Sequence, residues 1–301
     1  MAVGAARLPS GDGSRRVSLV TIDHDFPSPA ARSVLIVIDG GASRCRAAAF
    51  DEHGVRRTEV VIEAHASLSL GVEAAASTVA RAVRAIADRL DRADGWAPAG
   101  MVLGLAGSLG VARRQALVAR LRADGCAANG RIEVITDGQA QLLGATGGRA
   151  GACVAVGTGS VLYWLDEDGE IGSAGGWGFP AGDEGSGAWL GSRLLGAYLR
   201  HRDAGTPTAP VFAALERCIG RDASSVQRWA TTTRPTEIAG LVPLIRAAAE
   251  DGDELASALF DAGASECARL LELAPSHLPI HLVGGLAVIY EIGRASCRER
   301  V

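Results

Sequence analysis

The feature that most constrains this chain is a pattern it states twice. Val34-Leu35-Ile36-Val37-Ile38 is a continuous apolar run suited to a buried strand. The turn Asp39-Gly40-Gly41-Ala42-Ser43 follows, then a strand from Arg46 to Phe50, then a hairpin turn at Asp51-Glu52-His53-Gly54. Further along, the strand Cys153-Val154-Ala155-Val156, the turn Gly157-Thr158-Gly159-Ser160, the strand Val161 to Leu165 and the turn Asp166-Glu167-Asp168-Gly169 recur in that order. Self-similarity of this kind marks a repeated structural unit. At 301 residues the chain has room for one large or two medium domains.

The rest of the chain alternates strand and helix, then turns mostly helical. A strand is predicted around Thr58 to Ile62, a helix over Val72 to Leu90, a strand over Met101 to Leu105 and a helix over Leu109 to Ala123. Ile132 to Thr136 is a strand that delivers Asp137 to its C-terminal end, and Gln139 to Thr146 starts a helix. After the second hairpin, helices are predicted over Gly187 to Arg202, Val211 to Ile219, Thr236 to Ala249 and Glu254 to Leu273, with a last strand over Ile280 to Val283. Met1 to Arg32 reads as a flexible extension or a mis-set start, and residues 291–301 as a tail foreign to the fold.

Composition removes whole classes of chemistry. All 30 basic residues are Arg, so a Walker-A lysine, a protein-kinase strand lysine and a Schiff base are excluded. A net charge of −4 implies no basic face for nucleic acid. The six cysteines contain no C-x-x-C pair, which argues against a metal or redox motif and for buried thiols in a reducing cytosol. No apolar run reaches the length of a membrane span and no secretory h-region is present, so the expected location is cytoplasmic.

Glycine turns between strands aim backbone N–H groups at phosphate oxygens, where a side chain would block the approach. Gly40, Gly41 and Ser43 form one such turn and Gly157, Thr158, Gly159 and Ser160 the other, with a further pair at Gly284 and Gly285. Asp39 is either a turn cap or an acceptor for Mg2+, through water. Asp137 is either a helix N-cap or the general base of a phosphoryl transfer to a hydroxyl. In Gly175 to Gly187, Trp177 offers an apolar face to a sugar ring, and Asp183 and Glu184 can accept from sugar hydroxyls. The alternative there is a structural Ω-loop.

These blocks together resemble the BadF/BadG/BcrA/BcrD ATPase family, and within it the N-acetylglucosamine and glucosamine kinases. The resemblance runs from Val34 to about Ala287 and is most specific at Gly-Gly-Trp-Gly-x-x-x-Gly-Asp-Glu-Gly-Ser-Gly. It implies an α/β fold of two actin-like (ribonuclease H-like) lobes, over 33–137 and 138–290, with ATP and Mg2+ in the cleft between them. It places Gly284 and Gly285 against the adenosine, Asp137 where the family's kinases keep their base, and Gly176, Trp177 and Asp183 where they hold the sugar. Ser67 stands where the family has a sugar-contacting Asn, and Ala42 adds a methyl where the family has Gly. The implied reaction moves the γ-phosphoryl group of ATP to the 6-hydroxyl of an amino sugar. The implied partner is that sugar, with neither nucleic acid nor membrane; the oligomeric state, a homodimer included, is left open by the sequence.

Two further readings come from the same resemblance. An activator of a 2-hydroxyacyl-CoA dehydratase would need cysteines at a dimer interface for an iron–sulfur cluster, and only Cys126 and Cys153 are placed for it. A sugar sensor would keep the pocket without turnover.

Overall fold

The computed structural model describes residues 15–18, 33–41, 44–90, 97–126, 130–205 and 209–290. Ala42, Ser43 and the tail 291–301 lie outside them, as does the extension 1–32 apart from one strand, β1 (Arg15–Ser18). The described residues form two compact units. One ends at Gln141; the other begins at Leu142 and takes in β1.

The unit that ends at Gln141 is built on strands β2 (Ser33–Gly40), β3 (Cys45–Asp51), β4 (Arg56–Ile62), β5 (Ala97–Leu105) and β6 (Arg131–Thr136). Their order is β4-β3-β2-β5-β6. The hairpin strands pair antiparallel, whereas β2, β5 and β6 run parallel. Helices α1 (Val72–Arg89) and α2 (Val111–Ala123) carry the apolar side chains that cover this sheet. In α1 the buried residues Ala75, Ala76, Val79, Ala80, Val83 and Ile86 recur at steps of three and four, so one stripe faces the strands. Truncating Ile86 to Ala would cost about 2–5 kcal/mol through lost burial and the cavity left behind.

The apolar run of β2 suggested burial on both faces. In the structure Val34, Ile36 and Ile38 are buried under the helices, but Val37 and Asp39 are exposed. The reason is the period of two along a strand: α1 and α2 cover only one face of β2.

The second unit repeats the plan with β7 (Gly151–Val156), β8 (Ser160–Leu165), β9 (Glu170–Gly175) and β10 (Ile280–Val283). The order β1-β9-β8-β7-β10 places β9, β8, β7 and β10 as β4, β3, β2 and β5 are placed in the first unit. Again the hairpin is antiparallel, and β10 lies parallel to β7. The hairpin turns share a reciprocal pair of bonds. Asp51 N–H donates to the Val55 carbonyl at 3.0 Å, while the Asp51 carboxylate accepts the Val55 N–H at 2.9 Å. Asp166 makes the same pair with Glu170 at 3.0 and 2.8 Å. Gly54 and Gly169 close the turns at φ +73° and +81°, a region that favours glycine.

Helices α3 (Asp137–Thr146), α4 (Gly187–Ala204), α5 (Pro210–Ile219), α6 (Ala223–Thr231), α7 (Pro235–Ala239), α8 (Val242–Glu250) and α9 (Glu254–Leu271) complete the chain. The helix expected over Thr236 to Ala249 is two helices, α7 and α8, parted at Gly240 and Leu241. A proline in the first turn of each starts it afresh. Asp253 ties α9 to α5: its carboxylate caps Ala256 N–H at 2.9 Å and accepts Val211 N–H at 2.8 Å. No helix among the described residues is long and apolar enough to cross a membrane.

Candidate active site

In open α/β sheets ligands gather at the carboxyl ends of parallel strands. In the first unit that edge carries Asp39, Gly40 and Gly41 after β2, the turn 106–108 after β5, and Asp137 after β6. The edge is tightly knit. The Ala106 N–H donates to Gly40 O at 3.0 Å, Ala66 N–H to Gly41 O at 3.0 Å, and the Ser108 hydroxyl to Ile135 O at 2.9 Å.

Asp137 was open to two readings, cap or base. The structure gives the cap to its neighbours. The Thr136 hydroxyl accepts the Gln139 N–H at 3.0 Å, and Gln139 Oε1 accepts the Thr136 N–H at 2.9 Å. This reciprocal pair is a capping box. Asp137 is then the first helical residue, and its carboxylate accepts the adjacent Gly138 N–H at 3.0 Å and its own N–H. Burial pushes its carboxyl above the usual range, and the negative charge of Asp39 adds to the rise. A half-buried carboxylate with raised basicity, at the edge where ligands collect, suits proton abstraction. Gly104 of β5 makes the placement of α3 feasible, since a Cβ there would lie 2.5 Å from Ala140 Cβ.

Ser67, assigned to the sugar by resemblance, has another task. It is buried; its hydroxyl donates to Ala106 O at 3.2 Å and accepts the Ser69 N–H at 3.2 Å, capping the 3-10 turn Leu68–Leu70. The side chain holds the loop 66–69 against the turn after β5.

In the second unit the equivalent edge carries Gly157, Thr158 and Gly159 after β7, and Gly284 and Gly285 after β10. The glycines divide into two kinds. A Cβ on Gly157 or Gly285 would meet open space, and Gly41 in the first unit is nearly as open. The Gly157 N–H donates to Gly159 O at 2.9 Å and the Gly41 N–H to Arg44 O at 2.9 Å, so at these two positions it is the missing side chain, not a spare N–H, that leaves room for a ligand. Gly284 is glycine for packing. Its φ is +104°, and a Cβ would lie 2.2 Å from the Val156 carbonyl oxygen. Gly40 is likewise filled from above by Leu105 and Ala66. Thr158 is exposed.

Gly159 and Ser160 are covered by Asp183. A Cβ on Gly159 would lie 2.6 Å from Asp183 Oδ2. The Asp183 carboxylate accepts the N–H groups of Gly178, at 3.3 Å, and of Ser160 and Phe179. Burial raises its carboxyl despite those bonds. The Ser160 hydroxyl is buried and donates to Glu184 O at 2.7 Å. The loop 175–187 thus brings Asp183 onto the glycine turn after β7. Gly176 sits at φ +64° above Val161, and Trp177 is 72% exposed on the loop's outer side. Cys126 and Cys153 are both buried, and burial raises both thiols, Cys153 to about 11. Neither is a surface thiolate able to hold an iron–sulfur cluster.

Two α/β units with one shared strand order, each presenting glycine turns at the carboxyl edge of its parallel strands, define the actin-like class. The chain belongs to the BadF/BadG/BcrA/BcrD ATPase family, whose sequence model matches residues 37–291. It is similar to glucosamine kinase GspK of Vibrio cholerae serotype O1, at 32% identity over 237 residues, 78% of this chain and 78% of that protein. A shorter match joins it to an N-acetylmuramic acid/N-acetylglucosamine kinase of Clostridium acetobutylicum, 39% identical over 74 residues, covering 25% and 24% of the two chains. Among solved structures, a Chromobacterium violaceum protein assigned as an N-acetylglucosamine kinase superposes with TM-score 0.73 at 32% identity, covering 88% of this chain and 91% of its own. A Porphyromonas gingivalis protein with the same assignment shares the fold, with TM-score 0.68 at 19% identity over 88% and 91% of the chains.

Proposed function

We propose that this chain is an amino-sugar kinase that moves the γ-phosphoryl group of ATP to the 6-hydroxyl of glucosamine or N-acetylglucosamine. The observation that carries the reading is Asp137: a carboxylate relieved of capping by Thr136 and Gln139, and held basic by burial. In the transfer the sugar oxygen bonds to the γ-phosphorus as the bond to the β–γ bridging oxygen breaks. Asp137 takes the hydroxyl proton, and ADP leaves with the bridging oxygen. The nucleotide is received at the carboxyl edge of β7 and β10, where a side chain on Gly157 or Gly285 would occupy open space. Asp39 fits a hard cation: it is an exposed carboxylate at the end of β2, near enough to Asp137 to affect its titration. Mg2+ held there through water would supply charge neutralisation at the phosphates. Trp177 and Asp183 hold the sugar ring and its hydroxyls.

An ADP-release assay over a panel of hexoses and amino sugars, with and without Mg2+, tests the reading. ADP should form only with an amino sugar and only with the cation. ADP production that ignores the sugar would sink it.

A further inference from the structure

The loop that carries Asp183 has no regular secondary structure to hold it. Gly175, Gly176, Gly178, Asp183 and Gly185 all sit at positive φ, and Asp183 is the one residue there with a side chain, at φ +64°. Something outside the loop must hold this conformation. The two carbonyls that follow Asp183 each accept a hydroxyl from elsewhere in the same unit. Glu184 O takes the Ser160 hydroxyl at 2.7 Å, from the first residue of β8. Gly185 O takes the Tyr290 hydroxyl, from the helical stretch 287–290.

Both donors are buried, and the second is built into the core. A Cβ on Gly185 would lie 2.6 Å from Gly263 O, and a Cβ on Gly263 would lie 2.3 Å from Tyr290 Oη. Three parts of the unit therefore close on one another only because two of them are glycine. Burial holds the Tyr290 phenol far above its ordinary titration range, so it remains a donor. Ser160 grips the loop a second way, since its own N–H donates to the Asp183 carboxylate.

We infer that Ser160 and Tyr290 are positioning residues for the sugar site, a two-hydroxyl clamp on the carbonyls of Glu184 and Gly185 that fixes Asp183. The clamp itself is a claim about the loop; its effect on sugar binding rests on the kinase reading.

The experiment uses the full chain with Tyr290→Phe, Ser160→Ala and the double variant. Hydrogen–deuterium exchange in the ligand-free protein should quicken across 178–187 in each variant, with exchange elsewhere unchanged. In the ADP assay with glucosamine or N-acetylglucosamine, the sugar KM should rise about fivefold per variant, the scale of one lost hydrogen bond. The KM for ATP should stay within about twofold in the same assay. Unchanged exchange across 178–187 overturns the clamp. So does a general loss in which exchange rises throughout the unit or both KM values climb together, because that marks a plain packing role. If the wild-type chain makes no ADP with any sugar, the kinase reading falls while the exchange result still decides the clamp.

Discussion

Thr136 and Gln139 exchange two hydrogen bonds across the residue proposed as the base: the Gln139 N–H donates to the Thr136 hydroxyl at 3.0 Å, and the Thr136 N–H donates to Gln139 Oε1 at 2.9 Å. The pair satisfies two backbone or side-chain needs at a buried helix start and leaves the Asp137 carboxylate free of capping duty. Thr136→Ala should therefore lower stability by about 1 kcal/mol, the usual cost of a lost N-cap. It should also lower kcat, because the first turn of α3 that aims Asp137 loses its anchor. Gln139→Ala removes the return bond and should act in the same direction. If denaturant melts show the loss but kcat stays at the wild-type value, the cap does not position the base.

Asp137→Asn should cut kcat by about two to four orders of magnitude, the typical share of a general base, with the sugar KM little changed. The sign of the stability effect is opposite to that of a lost interaction. The folded carboxyl titrates above its unfolded value, because burial and Asp39 disfavour the charged form. The native state therefore binds the proton more tightly, and ionising Asp137 costs stability as pH rises through the raised value. That cost is absent well below the ordinary carboxylate range and complete above the raised value. Asn carries no such charge, so the variant should melt no lower than wild type at pH 7 and lose that advantage in acid. For the wild type, the acid limb of kcat/KM should lie above the ordinary carboxylate range. A limb at or below that range, or an Asn variant with full kcat, would remove Asp137 from the mechanism.

The duplicated hairpins were legible because their signals are local: apolar runs, paired glycines and an Asp-x-x-Gly turn whose bonds the structure repeats at Asp51 and Asp166. Strand β9 was not legible. Its sequence Glu170–Gly175 is poor in β-formers, and its place is set by pairing with β8. Gly172 shows why such a sequence is selected: a Cβ there would lie 2.1 Å from the Trp164 ring opposite it. Helix α6 was missed because it is short, Ala223–Thr231, and offers only Val226 and Trp229 as large apolar side chains to set a period. At the site, Asp39, Asp137 and the open glycines could be read from position along strands. The hydroxyls of Ser67 and Ser160 could not, because nothing local separates one that faces a ligand from one that serves a carbonyl far along the chain.

The glycine turns yield a paired prediction. Gly157→Ala adds a methyl into open space, so the protein should fold with near-wild-type stability, while the KM for ATP rises as the cradle narrows. Gly284→Ala puts the same methyl 2.2 Å from the Val156 carbonyl oxygen at a φ of +104°. That change should lower the melting temperature markedly, with a cost above about 2 kcal/mol from clash and backbone strain together. Thermal melts and ATP titrations of the two variants should thus move in complementary ways. Equal destabilisation of both would show that Gly157 serves packing and not a ligand.

Trp177 offers the sharpest separation of binding from stability. The residue is 72% exposed. An exposed aromatic contributes little to the folded state, so Trp177→Ala should leave stability within about 0.5 kcal/mol. If the ring covers the apolar face of a bound sugar, its removal takes away on the order of 1 kcal/mol of contact, or about a fivefold rise in the sugar KM. The KM for ATP should not follow, and the fluorescence change on adding sugar should shrink in the variant. A sugar KM equal to that of wild type would return Trp177 to the surface of a purely structural loop, and the sugar would have to be held by Asp183 and its neighbours alone.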